Sequence, residues 1–583
     1  MRIKTTNTKN GRLFYIIKTY YDTHGKEHSI TVEKLGNEND IRSKYNCDPD
    51  EWAKAHVAKL NEQERLAKAD IEISFSPKSL ISKNHQYSFN IGYLFLQSLY
   101  CQLSLDKMCS SISKKYKFDF DLDCILSRLI YGRILQPSSK TATCKFAKTL
   151  LEQPKFDNHQ VYRALDVIAD ETDFIQETIY SNSFELGKRH CGVIYYDCTN
   201  FFFEIEEADE NGLRQYGKSK ENRALPIVEM GMFIDSDGIP LAMCSHPGNT
   251  NEQVTLKPLE EKIISDFNMS KFVVCTDAGL ASKANRKFND KLDRAFIVTQ
   301  PIKKLKADIK EWALDKSRGW RVFGDKRNKA YSIENLNLEE NLDTIFYKEI
   351  WVDQGNFEEK LIVTFSPKYC LYQRHIRNSQ IDRAQCLIEN GAAKVSKKNQ
   401  NDFRRFIDKI SSTNDGEIAD RHKYILNTDR IIEEEKYDGF YAVVTNLDED
   451  PCEIIKVNKQ RWRIEECFRI MKTEFKSRPV YVQKDNRIEA HFITCYIALI
   501  LYRYLEKRLD NKFTCEEILE TLQNMNVREI VGEGFVPAYT RTELTDALHE
   551  IFGFRTDYQF LSKDEIKKIL KISKKKPRYA KKS

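Results

Sequence analysis

The chain has 583 residues, of which 41% are hydrophobic and 31% are charged, and its 93 basic and 87 acidic side chains give a net charge of +6. This length exceeds what one core usually holds and, at roughly 150 residues per domain, suggests about three or four domains, while the apolar content excludes a disordered chain. The small net charge does not indicate a polyanionic partner, so such a partner must be inferred from local clusters of basic residues.

The sequence predicts neither a membrane anchor nor a disulfide framework. The first residues lack a continuous apolar segment, and the longest largely apolar run, residues 492–502, is too short to span a bilayer. The 15 cysteines occur singly, without CxxC pairs or the spacing of zinc ligands. We therefore expect a cytoplasmic protein with reduced thiols.

Two different patterns occupy the first third of the chain. Residues 1–75 predict a small β-rich unit, because apolar and polar residues alternate at 12–21 and 28–33 around turn-like residues 22–25. Residues 76–188 instead show helix-like apolar spacing and predict a helical domain.

Residues 189–300 predict the first part of an α/β core. The predicted strands are 192–197, 201–205, 226–235, 239–244, 272–277 and 295–299, and the predicted helices are 252–267 and 283–292. Three antiparallel strands are followed by a helix, a strand and a helix, and this β-β-β-α-β-α order is that of an RNase-H-like core.

The rest of the chain predicts an interruption and a return to this core. Residues 301–437 are interpreted as an inserted, mainly β domain, and residues 438–535 as the second part of the core, with a strand at 439–445 and a helix at about 454–475. Residues 536–583 predict a C-terminal helical segment and a basic tail.

Two acidic residues follow apolar strands. Asp197 and Asp277 each come at the end of a predicted buried strand, where an unpaired carboxylate costs several kcal/mol. For one such residue, a turn or helix-cap role is the commoner explanation. Two of them also fit a pair of Mg²⁺ or Mn²⁺ ions, which stabilise the attacking and leaving oxygens of a phosphodiester from about 3.5–4 Å apart.

The third acidic residue lies on the predicted helix at 454–475. Arg461, Glu465 and Lys472 follow each other at spacings of four and seven residues and therefore share one helix face. A solvated face with ordinary ion pairs is the alternative. Glu466 is the neighbouring candidate, but only Glu465 keeps the spacing to both basic residues.

With these residues, the sequence resembles the IS4-like DDE transposases, and most closely the IS1634 group. The helix signature Tyr-x2-Arg-x3-Glu-x6-Lys is matched by Arg461, Glu465 and Lys472, while Asn458 stands where the tyrosine is expected. Further matching stretches are YYDCTN at 195–200, YGKSKENR at 216–223, GIP at 238–240, PGNTNE at 247–252, TDAG at 276–279 and DGFYAVVTN at 438–446. The resemblance covers most of the chain.

The resemblance implies a cut-and-paste transposase with an RNase-H-like core. Asp197, Asp277 and Glu465 would then hold two Mg²⁺ or Mn²⁺ ions, and Arg461 and Lys472 would orient phosphate. The expected partners are double-stranded DNA, as terminal inverted repeats and target, and a second copy of the chain bound to the paired ends. A prokaryotic, nucleoid-associated protein is expected.

Further contacts with DNA are predicted from basic residues, because phosphate binding depends on them. Lys218, Ser219, Lys220 and Arg223 follow the predicted strands beside Asp197, although a solvated loop is equally expected. The other candidates are Lys303, Lys304 and Lys306 and, in the helical domain, Arg128, Arg133, Lys140 and Lys145.

Some residues are predicted to be structural. Trp312, Trp320 and Trp351 lie in the insertion, from which related enzymes use an aromatic residue to hold a flipped base, but a core position is favoured for each. His491 is expected to be a buried histidine.

Two other functions compete with transposition. An aspartyl-nucleophile phosphatase fits Asp197 after an apolar strand, but it lacks a second acidic residue two positions later and leaves Glu465 unexplained. A catalytically inactive or domesticated DNA-binding protein is the main alternative. The presence of all three acidic residues argues against a loss of activity.

Overall fold

A computed structural model of the protein describes residues 1–8, 11–21, 27–66, 73, 75–291, 293–327, 329–355, 357–392, 401–411 and 422–575. The chain divides into two compact units, Met1–His85 and Gln86–Ser583. The predicted turn at 22–25 and the tail residues 576–583 lie outside the described residues.

The first unit is a three-stranded antiparallel sheet followed by two helices. Its elements are β1 (Arg2–Thr8), β2 (Gly11–Tyr21), β3 (Glu27–Asn37), α1 (Glu38–Tyr45) and α2 (Pro49–Leu66). Phe14, Ile41 and Ala53 form its small buried core. The alternating pattern therefore predicted the two strands at 12–21 and 28–33 correctly.

Helices occupy the chain from residue 93 to residue 183. After the short strand β4 (Ser88–Asn90) come α3 (Tyr93–Gln102), α4 (Leu105–Lys115), α5 (Leu122–Leu135), α6 (Lys140–Ala147), α7 (Asn158–Asp170) and α8 (Thr172–Ser183). The helix α5 begins where the Asp121 side chain accepts a hydrogen bond from the Cys124 N–H, which satisfies one free donor of the first turn. The helix-like spacing seen in this region is confirmed.

A nine-stranded sheet is the centre of the second unit. Its strands are β5 (Val193–Phe202), β6 (Ile227–Asp235), β7 (Pro240–Pro247), β8 (Phe272–Thr276), β9 (Arg294–Thr299), β10 (Arg321–Val322), β11 (Phe346–Asp353), β12 (Glu358–Phe365) and β15 (Phe440–Thr445). Their order across the sheet is β10-β11-β12-β15-β9-β8-β5-β6-β7. The helices between β7 and β10 are α9 (Leu256–Asp266), α10 (Lys283–Phe288) and α11 (Ala307–Leu314).

The predicted order of the core is observed. The strands β5, β6 and β7 are antiparallel neighbours, and β8 and β9 then continue the sheet parallel to β5. One prediction was wrong: Asp197 does not end a strand, and the two strands expected at 192–197 and 201–205 are the single strand β5. The strand continues because it is buried on both faces, with Tyr195 and Phe201 in one core and Tyr196 and Cys198 in another.

The segment 301–437, expected to be a separate β domain, contributes β10, β11 and β12 to the core sheet. Leu361, Ile362 and Val363 of β12 are buried in the same cores as β9 and β15, which explains why these strands extend the sheet. The segment also contains α12 (Pro367–Glu389), the hairpin β13 (Ile407–Ser411) and β14 (His422–Leu426), and α13 (Thr428–Glu435).

The predicted helix at 454–475 is broken into three pieces. They are α14 (Pro451–Lys459), α15 (Trp462–Arg469) and a π-helical turn, Ile470–Glu474. Turn residues 460 and 461 separate the first two pieces. The single helix expected from periodicity was therefore wrong in its continuity, and π-helical turns of this kind occur frequently at functional sites.

The helix α16 (Asp485–Arg508) follows, and it is the one helix among the described residues that is long and apolar enough to cross a membrane. The fold accounts for this composition, because 94% of its apolar window is buried within the protein. The remaining elements are α17 (Cys515–Asn524), β16 (Asn526–Ile530), β17 (Gly534–Pro537), α18 (Glu543–Phe552), β18 (Leu561–Ser562) and α19 (Lys563–Ser573).

Candidate active site

Asp197 and Asp277 are held side by side by the parallel strands β5 and β8. Tyr195 pairs with Cys275 in this ladder, so the same register continued by two residues aligns Asp197 with Asp277. Neighbouring strands are about 4.8 Å apart. Asp277 comes directly after β8, at the start of a short 3-10 turn, Ala278–Leu280. The sheet register therefore brings together two acidic residues that are 80 positions apart.

Thr299 extends this line by one strand. Thr276 of β8 pairs with Val298 of β9, so Thr299 aligns with Asp277. Its hydroxyl accepts a hydrogen bond from Arg461 Nη1 at 3.2 Å and contacts the Tyr441 hydroxyl at 2.6 Å. Thr299 lies outside the stretches that match the transposases, and Tyr441 lies within one of them, DGFYAVVTN, but nothing in the sequence indicated their contact.

Arg461 connects Asp277 with Glu465. Its Nη1 lies 3.3 Å from Asp277 Oδ1, and its Nη2 lies 3.7 Å from Glu465 Oε1. Burial disfavours the charge of Arg461, but Asp277 and Asp197 favour it, and the net effect is a raised pKa. The guanidinium group is therefore a fixed positive charge between two of the three predicted acidic residues.

Glu465 and Glu466 point to different surroundings. Glu465 lies beside Arg461 and its side chain is 63% exposed. Glu466 is paired with Arg503 at 2.9 Å and with Arg469 at 3.7 Å, on the wall of a separate cavity of about 600 Å³. Of the two, Glu465 is the residue next to the aspartate pair.

Lys472 lies near Asp197, within the π-helical turn. Burial and the neighbouring Lys220 lower the pKa of Lys472 to about 8, and Asp197 opposes this effect. The Lys472 ammonium is 3.7 Å from Glu221 Oε1 and lies over the Phe201 ring at 5.4 Å. Arg461 and Lys472 therefore flank the aspartate pair despite the break in the helix.

The positive charges near Asp197 do not fully offset the energetic cost of burying its carboxylate. Burial, with a smaller contribution from Asp277, raises the pKa of Asp197 to about 6, although Lys220, the Cys198 N–H and Arg461 lower it. The Cys198 N–H donates to Asp197 Oδ1 at 2.8 Å. A half-buried carboxylate beside a second carboxylate gains from a divalent cation, and carboxylate oxygens are the ligands that Mg²⁺ and Mn²⁺ prefer.

The three acidic residues fit such a cation pair in their chemistry but do not form one tight cluster. Among the described residues, a set of three metal-ligating side chains with all ligand atoms within 4.8 Å of each other occurs only at Asp546, His549 and Asp557. Two ions about 3.5–4 Å apart do not require three acidic residues at such short range, because each ion contacts a different pair. Asp197, Asp277 and Glu465 would be the residues that hold them.

The predicted loop residues differ in their distance from this site. The Lys220 ammonium is 2.8 Å from Glu252 Oε1 and donates to the Cys198 carbonyl oxygen next to Asp197. Arg223 lies over the Phe202 ring at 4.1 Å, and the Ser219 hydroxyl accepts the Glu221 and Arg223 N–H groups. Lys218 is exposed. Of the four residues, Lys220 is brought closest to the aspartates.

Asn458, the departure from the expected signature, is buried beneath Arg461. Its Nδ2 donates to the Tyr441 hydroxyl at 3.1 Å, and Tyr441 in turn contacts Thr299. A tyrosine hydroxyl is thus present at this place, but β15 supplies it rather than α14.

Several basic residues proposed to read DNA are internal. Arg133 and Lys140 are each 5% exposed, and Arg133 donates to the carbonyl oxygens of Phe475 and Lys476. Arg128 donates to the Glu152 carbonyl oxygen. The expectation that Arg133 and Lys140 contact DNA was wrong, because the helical packing that buries α5 and α6 leaves them no surface.

Of the tryptophan and histidine residues predicted to be structural, some lie in the core and one is exposed. Trp320 is fully buried, and His491 is 5% exposed with Nε2 hydrogen-bonded to the Ser477 carbonyl oxygen, so both core positions are confirmed. Trp312 is partly buried under Lys348. Trp351, in contrast, is 44% exposed on β11, so its expected core position was wrong.

The chain was compared with known proteins. The sequence profile of the transposase DDE domain matches residues 201–501, just over half of the chain. This range includes Asp277 and Glu465 and begins four residues after Asp197. None of the curated proteins matches the chain at a significant level.

Two solved structures are among those that match the chain. The piggyBac transposase synaptic complex with hairpin DNA shares 8% identity over 84% of this chain and 85% of that chain, with a TM-score of 0.35. The Mos1 transposase paired-end complex with the left transposon end shares 13% identity over 41% of this chain and 66% of that chain, with a TM-score of 0.14. The family match alone decides the assignment: this chain belongs to the transposase DDE domain family.

Proposed function

We propose that the protein is the transposase of an insertion sequence, similar to the IS1634 group of IS4-like elements, and that it moves DNA by a cut-and-paste route. The observation that carries this proposal is the alignment of Asp197 with Asp277, together with Arg461 between Asp277 and Glu465. The proposed substrates are the element's terminal inverted repeats and a target duplex, and a homodimer would hold the paired ends in a prokaryotic cytoplasm.

Two Mg²⁺ or Mn²⁺ ions, held by Asp197, Asp277 and Glu465, would supply the activation of a hydroxyl nucleophile and the neutralisation of charge on the phosphate. The other residues act on the DNA itself. Arg461 and Lys472 orient the phosphate that is cut, since each is mostly buried and flanks the aspartates. Lys218, Ser219, Lys220 and Arg223 contact the neighbouring phosphates of the backbone.

The proposal is tested with purified protein, Mg²⁺ and a labelled duplex carrying one end of the element. Wild-type protein is expected to release nicked or hairpin products and to join the freed 3′ end to a second duplex. A catalytically inactive DNA-binding protein would bind the duplex and release nothing. Cleavage that persists in an Asp277→Ala variant would contradict the assigned site.

A further inference from the structure

The loop that carries Lys220 is fixed to the strand of Asp197 by one side chain. Asn200 lies on β5, three residues beyond Asp197, and is 4% exposed. Its Nδ2 donates to the Lys218 carbonyl oxygen at 3.1 Å, and its Oδ1 accepts from the Lys220 N–H at 3.2 Å. The backbone on both sides of Ser219 is therefore held against β5.

The other end of Lys220 is held by Glu252. The ammonium group lies 2.8 Å from Glu252 Oε1 and donates to the Cys198 carbonyl oxygen. Glu252 begins a 3-10 turn, Glu252–Val254, and its Oε2 lies 3.5 Å from the place where a Cβ on Gly279 would be. Glu252 therefore reaches from the Lys220 loop to the turn that follows Asp277.

Glu229 stands behind Glu252 and keeps it in place. Glu229 lies on β6, is 4% exposed and is hydrogen-bonded to the Glu252 carboxyl group. Burial and the adjacent Glu252 raise the pKa of Glu229, which favours its protonated form. The Glu252 carboxyl group therefore lies between Glu229 and the Lys220 ammonium, from which it accepts.

A lysine ammonium on an exposed loop samples many positions, whereas this one is anchored at its backbone and at its tip. Preorganised charges stabilise a developing negative charge better than mobile ones, because no reorganisation accompanies the reaction. Arg461 is anchored in the same way on the other side of the aspartates, by Thr299.

We propose that Glu252 and Asn200 are positioning residues, which hold the Lys220 ammonium beside Asp197 so that it binds a DNA phosphate there. This inference rests on the proposed function, because it concerns the phosphate that the candidate active site binds. Glu252 acts through Lys220, and the two residues therefore form one unit.

A double-mutant cycle tests this unit. Duplex affinity is measured without divalent ions, as a function of salt, for wild type, Glu252→Gln, Lys220→Met and the double variant. Glu252→Gln and Lys220→Met are each expected to weaken binding about three- to tenfold and to lower the salt slope by about one. The double variant is expected to equal Lys220→Met, since residues acting as one unit are not additive.

Glu261→Gln is the matched control, because Glu261 is an exposed residue of α9 whose ion-pair partner among the described residues is Lys257, at 3.6 Å and one helical turn away. It is expected to leave affinity and salt slope unchanged. Should Glu252→Gln lower the melting temperature sharply, Asn200→Ser replaces it in the same cycle with Lys220→Met.

The outcomes separate this inference from the proposed function. Additive effects of Glu252→Gln and Lys220→Met, or an unchanged salt slope, overturn the positioning role even if wild type cuts DNA with Mg²⁺. Wild type that binds duplex but never cuts it overturns the proposed function, and the double-mutant cycle can still be interpreted because it measures binding. Failure of wild type to bind any duplex overturns both.

Discussion

Two regions of the protein place aspartates close to arginine, and they differ in charge balance. In the C-terminal part, Asp546 of α18 accepts from Arg541 at 2.8 Å and from Arg555 at 2.6 Å, and Asp557 forms two hydrogen bonds with Arg555 at 3.0 and 2.6 Å. The pKa values of both aspartates are lowered. In the candidate active site, Asp197 has a raised pKa, because burial outweighs the nearby positive charges.

The comparison shows that closeness alone does not identify a cation site. The C-terminal aspartates, with His549, have the tighter geometry, yet two arginines already compensate their two charges. A divalent ion there would add uncompensated positive charge. At Asp197 the cost of burial exceeds what Lys220 and Arg461 offset, and a metal ion would relieve this remaining cost.

The largest expected effect is the loss of DNA cleavage when an aspartate of the candidate active site is replaced. Asp277→Asn is expected to reduce DNA cleavage by at least about a thousandfold, since it removes a charge that acts on the transition state. Initial rates of nicking with Mg²⁺ measure this effect. Asp557→Asn is the matched control and should cut DNA normally below its melting temperature. Equal losses in the two variants would mean that the C-terminal network takes part in the reaction.

Metal binding, measured without DNA cleavage, also distinguishes the candidate active site from the C-terminal network. Mn²⁺ binding, followed by electron paramagnetic resonance, is expected to weaken about 10- to 100-fold in Asp197→Asn. Asp546→Asn should bind Mn²⁺ like wild type. A loss of Mn²⁺ in Asp546→Asn with retention in Asp197→Asn would reverse the assignment of the two regions.

Stability is the property that the C-terminal network should govern. Asp557→Asn breaks a mostly buried ion pair and is expected to lower the free energy of unfolding by about 3 kcal/mol at pH 7, measured by urea denaturation. Because the folded pKa of Asp557 is below its ordinary value, this contribution is present above the unfolded pKa and disappears as pH falls through the folded pKa. A deficit that stays constant down to strongly acidic pH would contradict the role of charge.

Lys140 extends the comparison to a buried cation, with no expected effect on cleavage. Burial, with help from Arg133, lowers the pKa of Lys140 to about 7. Between about pH 7 and 10 the unfolded lysine binds a proton that the folded one does not, so wild-type stability should rise with pH in that window. Lys140→Met should flatten this rise and be more stable than wild type near pH 7, with cleavage unchanged. Melting temperatures across the window, with Lys145→Met as control, measure it.

Periodicity predicted local structure well and continuity poorly. The strands β6, β7 and β8 and the helix α9 were predicted close to their observed bounds, because apolar spacing reports which face of an element is buried. The break between α14 and α15 was missed, and Asp197 was taken for the end of a strand. The strand β5 is buried on both faces, so packing rather than alternation decides where it ends. The apolar spacing continues from α14 to α15, and the pattern therefore does not show the turn between them.

The sequence identified the acidic residues and the basic residues of the helix signature, but not their surroundings. Asp197, Asp277, Arg461, Glu465 and Lys472 were found from strand ends and helical spacing. The contacts of Thr299, Tyr441, Asn200 and Glu252 were not found, because each joins segments that are apart in the chain, although the last three residues lie in stretches that match the transposases. Conversely, Arg133 and Lys140 were expected at a DNA surface and are buried.

The sequence by itself determined which residue types exist at the needed spacings: an α/β pattern, two aspartates after apolar strands, and an Arg-Glu-Lys helix that marks the transposase DDE family. Only the tertiary structure decided which charges compensate each other. Electrostatic interaction depends on distance and burial, and the sheet register and helix packing set both between segments far apart in the chain. For that reason the same residue types form a neutral ion-pair network around Asp557, whereas at Asp197 the nearby positive charges offset only part of the cost of burial.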